Sequence, residues 1–175
     1  MSIPVITFID ASGNALTLEN PLNFGEVDAG STSYFANNPV SIWNSKASPS
    51  GVSTIENVKI TTVTMSSGYP NGGENVSIAE GREAVENKWV QIRSSGMGGC
   101  TASGTRWGAD YPEMIDDAES SYTAIGGTEN WHSIGPINPS GYRNVYFRVS
   151  PGINSTPVGS NNYIQWKTRI SFTYV

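Results

Sequence analysis

The run from Tyr163 to Val175 sets the strictest limit on what this chain can become. Ile164, Trp166, Thr168, Ile170, Phe172 and Tyr174 occupy alternate positions, with Gln165, Lys167, Arg169, Ser171 and Thr173 between them. A period of two with one polar face is the pattern of an antiparallel strand with one wet side, and a helix would not produce it. Asn144 to Val149 repeats the pattern, with Val145, Phe147 and Val149 on one face. The intervening SPGINSTPVGSNN reads as a long hairpin-like loop.

Leu22 to Val63 carries the same signal in shorter pieces. Leu22 and Phe24 precede a turn at Gly25, Val27 leads to a second turn at Gly30-Ser31, and a strand then closes on Val40, Ile42, Trp43 and Asn44. Glycine adopts positive φ at little cost, so Gly25 and Gly30 suit points of reversal. In the strand, Val40 and Ile42 point one way, Ser41 and Trp43 the other. A polar loop with Pro49-Ser50-Gly51 at its turn leads to a strand over Ile55 to Met65. Short strands at this spacing predict an all-β fold, an antiparallel β-sandwich. Composition agrees: only 14% of residues are charged, while 19 are Gly and 10 are Pro. Long helices would need more Ala, Leu, Glu and Lys on exposed faces. The 175 residues fit one domain, with residues 1–175 as a single sandwich. A chain of this size buries roughly 70% of its unfolded surface and needs no disulfide or metal staple.

Ile3 to Ile9 is predicted as the first strand, with Ile3, Val5, Thr7 and Ile9 on one face and Pro4, Ile6 and Phe8 on the other. Pro4 places its start at a sheet edge. Asp10 to Asn14 is a turn, and Ala15 to Glu19 reads as a short returning strand. Asn75 to Glu80 and Val85 to Arg93 are further strand candidates. In the second, Val90 and Ile92 share a face, and Trp89, Gln91 and Arg93 share the other.

FGEVDAGS, PVSIWNSKASP and STIENVKI together resemble immunoglobulin-like domains of the ASH type. The resemblance covers about residues 22–63 and implies an immunoglobulin-like sandwich. Asn37-Asn38-Pro39 departs from it by interrupting the strand after the Gly-Ser turn. Val-Tyr-Phe-Arg-Val, a Pro and Gly loop, and a last strand ending Phe-Thr-Tyr look like the closing strands of bacterial and phage immunoglobulin-like modules.

Ser94 to Ile134 leaves the sandwich pattern. It opens on the Gly-rich SSGMGGCTASGTRWG and continues into YPEMIDDAESSY, which suits a short helix with Pro112 in its first turn. The segment is read as a long insertion, about 94–134, decorating a crossover between strands.

No catalytic signature stands out. Cys100 is the one cysteine and His132 the one histidine, so a disulfide within the chain and a zinc site built on Cys or His are excluded by count. Asp110, Glu113, Asp116, Asp117 and Glu119 form the densest acidic group, and they lack the spacing of an EF-hand calcium loop. No phosphate-binding, dinucleotide-binding or nucleophile-elbow motif is present. A net charge of −5 with scattered Lys and Arg disfavours nucleic acid as a partner. The opening MSIPVITFIDASG has no basic n-region and no long apolar run, so neither a signal peptide nor a membrane anchor is expected.

These readings lead to a non-enzymatic structural or interaction protein without a cofactor. The expected setting is a bacteriophage particle, made in the host cytoplasm, as a capsid-decorating or tail-associated subunit. Partners are then other virion subunits or further copies of the chain. Ile3, Val5 and Phe8 of the first strand, with Trp89, Trp107 and Trp131, are the candidate interaction residues. The alternative is an extracellular carbohydrate-binding or host-surface-binding module, for which the five Trp and eight Tyr offer stacking surfaces.

Overall fold

The computed structural model describes residues 3–17, 19–46, 51–64, 76–100, 106–108, 122–127, 129–157 and 163–175. They form β1 (Ile6–Ile9), β2 (Ser33–Tyr34), β3 (Val40–Asn44), β4 (Ile55–Thr64), β5 (Val76–Ser77), α1 (Ile78–Glu86), β6 (Val90–Cys100), β7 (Arg106–Gly108), β8 (Thr123–Ala124), β9 (His132–Ser133), β10 (Gly141–Val149), β11 (Tyr163–Ile164) and β12 (Trp166–Tyr174). The large sheet runs β1-β3-β10-β6-β7, with β2 also on β10 and β8 also on β6. The small sheet runs β12-β4-β9. All pairs in both are antiparallel. A parallel pair, β5 with β11, stands apart from them. The chain is an all-β antiparallel sandwich.

The core lies between the two sheets. Val40, Ile42, Val90, Ile92, Val145 and Phe147 come from the large sheet, and Ile55, Val58 and Ile60 from the small one. Ile125, Ile134 and Ile137 close the sides, and Trp166, Ile170 and Phe172 pack against the cluster from β12. Ile55 and Val58 both face inward although they are three residues apart. Asn57, at φ 51°, supplies the extra residue where the β4–β12 register shifts, and this bulge restores the alternation. Asparagine is among the residues that enter the left-handed region most readily.

β10 is the spine of the large sheet. Residues 142–145 pair with β3 and residues 148–149 with β2, on the same side of β10. β2 and β3 are therefore two pieces of one interrupted strand, and the interruption is the Asn37-Asn38-Pro39 departure, where Asn38-Pro39 is cis. The gap falls at Phe147. There the Asn38 side chain replaces a peptide group: its Nδ2 donates to Phe147 O at 2.8 Å, and Phe147 N donates to its Oδ1 at 2.9 Å. Asn44 ends β3 in a related way, donating from Nδ2 to Ser53 O at 2.9 Å and to Ile137 O at 3.0 Å.

Several sequence expectations are corrected. β1 begins at Ile6, later than expected, and the returning strand reduces to a single bridge between Ile9 and Ala15. The segment expected to leave the sandwich at Ser94 continues as β6 to Cys100 and returns as β7, and its far end supplies β8 and β9. Glycines carry this pairing, Gly99 with Gly141 and Gly98 with Gly108, so no side-chain alternation announces it. The link from β10 to β12 is a crossover between sheets and not a hairpin. The final strand is broken at Gln165 into β11 and β12. Residues 111–121 of the helix expected within 111–122, and the acidic group from Asp110 to Glu119, lie outside the described residues, and Tyr122 is not helical.

The helix that is described occupies Ile78–Glu86, where strands were expected. Its sequence, IAEGREAVE, is rich in helix formers, and Ser77 stands three residues before Glu80 in the pattern of a capping box. Gly81 lets the helix pass the backbone of Gln165, since a Cβ there would collide with the Gln165 carbonyl oxygen. The helix ends in a Schellman motif. Trp89 N donates to Ala84 O at 2.9 Å and Lys88 N to Val85 O at 3.2 Å, with Lys88 at φ 56°. The apolar contact that accompanies such an ending is present, because Ala84, Trp89 and Val149 form one buried cluster.

Two stability outcomes follow. Asn38→Ala removes both bonds to Phe147 and strands its N–H, so chemical denaturation should show a loss of roughly 2–4 kcal/mol. Lys88→Gly relieves a left-handed non-glycine residue and should raise stability by about 1 kcal/mol in the same assay.

Candidate functional site

The face of the large sheet turned away from the core is where polar and charged groups gather. Alternation along β10 puts Tyr142, Asn144, Tyr146 and Arg148 on that face, opposite Val145 and Phe147. β3 adds Ser41 and Trp43, and β6 adds Gln91 and Arg93. This face is not wet: Ser41, Trp43, Asn144 and Tyr146 are fully buried, and Arg148 is 7% exposed.

At the β2 end, cations and tyrosine rings alternate. The Arg93 guanidinium carbon lies 4.3 Å from the Tyr146 ring centroid and 5.6 Å from that of Tyr122. Arg148 lies 4.3 Å from Tyr122 and 5.9 Å from Tyr34. Tyr34 and Tyr122 meet edge-on at 6.1 Å. Such contacts contribute about 0.5–2 kcal/mol each, more when desolvated. Arg148 Nε also donates to Gln91 Oε1 at 2.8 Å, and its Nη1 to Tyr34 OH at 3.4 Å. Burial raises the Tyr122 phenol above its ordinary value, and a hydrogen-bonding contact with Arg93, with the Arg93 and Arg148 charges, offsets that only in part. Tyr122 is thus a neutral hydroxyl at physiological pH.

At the other end of the same face, Ile9, Trp43 and Tyr142 form a small apolar cluster. The Trp43 and Tyr142 rings lie 4.6 Å apart, and the Lys46 ammonium sits 5.3 Å from the Trp43 ring.

The candidate interaction residues are dispersed. Ile3 and Val5 are 73% and 62% exposed, just ahead of β1 at the edge of the large sheet. Phe8 is half-buried and packs on the core. Trp89 is buried under the helix end and serves as packing. Trp131 is half-buried, with the Arg169 guanidinium 5.8 Å from its ring. Trp107 falls in β7 opposite Gly99, and its side chain lies outside the described structure.

Sequence reasoning missed a second set of exposed apolar residues. Tyr174 is 49% exposed and Val175 66%. Val5 N bonds Ser45 Oγ at 3.0 Å, just past the end of β3, while Tyr174 pairs with Ile55 and Val175 N donates to Thr54 O. Asn44 ties these two regions through Ser53. Ile3, Val5, Tyr174 and Val175 therefore lie at one end of the sandwich and come from both sheets.

His132 lies between the sheets. Its backbone pairs with Ile60, and its Nε2 is hydrogen-bonded to Ser94 Oγ at 3.0 Å. Burial pushes its pKa below the usual 6.5. Among the described residues, no three His, Cys, Asp or Glu side chains gather in a way that could hold a metal ion. No described helix is long and apolar enough to cross a membrane. No family model, no curated protein and no solved structure matches the chain.

The depressed His132 pKa fixes the sign of a pH effect. The unfolded chain takes up the proton near 6.5 and the folded chain only at lower pH, so stability is intact above about 6.5 and falls as the pH drops below it. His132→Gln should flatten this part of the profile, measured by urea denaturation between about pH 7.5 and 5.5, leaving only carboxylate titration at lower pH.

Proposed function

We propose that the protein is a non-enzymatic structural subunit that docks through the end of the sandwich carrying Ile3, Val5, Tyr174 and Val175. The observation that carries this reading is the clustering of four exposed apolar residues from both sheets at that end. Isolated exposed apolar residues are ordinary, but several at one end of a fold, contributed by both sheets, favour an interaction surface. The β1 edge adds to it. Phe8 O accepts from Leu16 N, which covers the later half of the edge, while the chain before it has no such cover among the described contacts. Ile3 to Ile9 contains no charged residue, so charge does not oppose antiparallel pairing with a second copy, and Pro4, which lacks an N–H, confines such pairing to the residues after it.

The wider setting we propose is a bacteriophage particle, as a capsid-decorating or tail-associated subunit. Support comes from the sandwich, from the immunoglobulin-like resemblance of residues 22–63 and of the closing strands, and from a low-charge sequence rich in Gly and Pro. The resemblance is analogy at the level of fold, which many functions share. The glycan-binding alternative draws less support, because Trp43 and Trp89 are buried in apolar clusters and offer no stacking face.

Light scattering over a concentration series tests the docking end. The expected result is association that rises with concentration and is lost in Val5→Lys, with the thermal midpoint unchanged. Point substitution is preferred to removing the first strand, because Ile9 is buried with Trp43 and Tyr142 and its loss would harm folding. A wild-type chain that stays monomeric throughout overturns self-docking at this end.

A further inference from the structure

The aromatic stack on the outer face of the large sheet leaves one group conspicuously unsatisfied. Arg93 Nε and Nη2 are both buried, and neither has a hydrogen-bond partner among the described residues. These two nitrogens form one edge of the guanidinium, whose parallel N–H bonds grip two oxygens of a carboxylate or phosphate at once. The other arginine in the stack offers a contrast, for Arg148 directs its Nε at Gln91 Oε1. Two further donors near Arg93 are in the same condition. Asn144, fully buried, accepts from the Ser41 hydroxyl on its Oδ1 at 2.9 Å, while its Nδ2 has no partner among the described residues. The Tyr122 hydroxyl is also buried, with the Arg93 guanidinium as its neighbour and no acceptor for its own hydrogen among the described residues.

The register places these groups together. Arg93 is opposite Tyr146, and Asn144 lies two residues along β10 on the same face. Tyr122 lies under the same two guanidiniums. A buried cationic fork and two neutral donors without acceptors are costly to maintain, since each has given up water for nothing. The Tyr146 and Tyr122 rings flank the guanidinium at 4.3 and 5.6 Å and help to hold it in position.

We propose that Arg93, with Asn144 and Tyr122, forms a binding site for a small oxyanion that presents two oxygens to the guanidinium edge. The ligand class is a carboxylate or a phosphate. Its charge would also relieve the repulsion between Arg93 and Arg148 within one stack. This site is separate from the docking end and does not depend on it.

The test uses the whole chain with sodium phosphate and sodium acetate as probes, against sodium chloride at matched ionic strength. The readouts are the thermal midpoint and the side-chain Nε–H resonance of Arg93. The expected result is a midpoint raised by several degrees and a shifted Arg93 resonance in one of the two salts. Response to phosphate alone identifies the phosphate class, and response to acetate alone the carboxylate class. In Arg93→Lys, which keeps the charge and loses the fork, the midpoint response should vanish. Asn144→Ser, a milder change, should weaken binding several-fold and keeps the test open if the lysine variant does not fold. An equal midpoint response in wild type and Arg93→Lys, or an Arg93 resonance and midpoint indifferent to both anions, overturns the proposal.

Discussion

The large sheet depends on one side chain acting as backbone. β10 has neighbours on both sides, and where β2 stops and β3 has not begun, the Phe147 carbonyl keeps a bond from Phe35 N while the Phe147 N–H would be buried with nothing to bond. Asn38 supplies a donor and an acceptor in the arrangement of a peptide group, so the ladder continues across the gap. A carboxylate would lack the donor, and a hydroxyl could not span both atoms of the peptide. Asn44, six residues later, turns the same chemistry across the sandwich. Its two amide hydrogens hold Ser53 and Ile137, and Ile137 in turn bridges to Ile55 at the start of β4. One short segment thus both completes the large sheet and fixes the small sheet over it.

The strands that were legible in the sequence are those whose side chains alternate between core and not-core. β3, β4, β10 and the greater part of β12 are of this kind, because burial on one face imposes a period of two on residue choice. What was not legible had its cause in the backbone. The extension of β6 through SSGMGGC pairs by peptide groups whose glycines carry no face. The α1 segment holds Val76, Ile78 and Val85 at spacings that suit a strand as well as a helix, and short apolar runs do not separate the two. Ser77 with Glu80, and Ala79 with Ala84, were the available helix signals. Sheet membership was a further blind spot: β10 and β12 read as partners in a hairpin, yet they face each other across the core.

The candidate site was legible only in part, for a physical reason. Alternation correctly separates Arg93 and Gln91 from Val90 and Ile92. It also suggests that a polar face is a wet one, and for the large sheet that inference fails. Lys167, Arg169, Ser171 and Thr173 on β12 keep the expected polar alternation of the small sheet. On the large sheet the polar residues are buried too, as members of a network assembled from β2, β6, β10 and the approach to β8. Tyr34, Arg93, Tyr122, Tyr146 and Arg148 are distant in sequence, and no local spacing encodes their meeting.

The use of arginine in that network is itself informative. A lysine ammonium is a compact, strongly hydrated charge, and burying it between rings would sacrifice its hydration in every direction. A guanidinium is flat and more weakly hydrated. It can lay both faces on aromatic rings and still direct N–H bonds outward in its own plane. Packing and recognition are then perpendicular and do not compete. In Arg148 the in-plane direction is used internally, on Gln91 and Tyr34. In Arg93 the Tyr122 and Tyr146 rings help to hold the group in place, while the edge made by Nε and Nη2 meets no acceptor among the described residues. Two arginines on neighbouring strands that share the Tyr122 ring thus divide the two roles that the side chain permits: one closes the protein's own network, and the other holds an edge in position for a group from outside it.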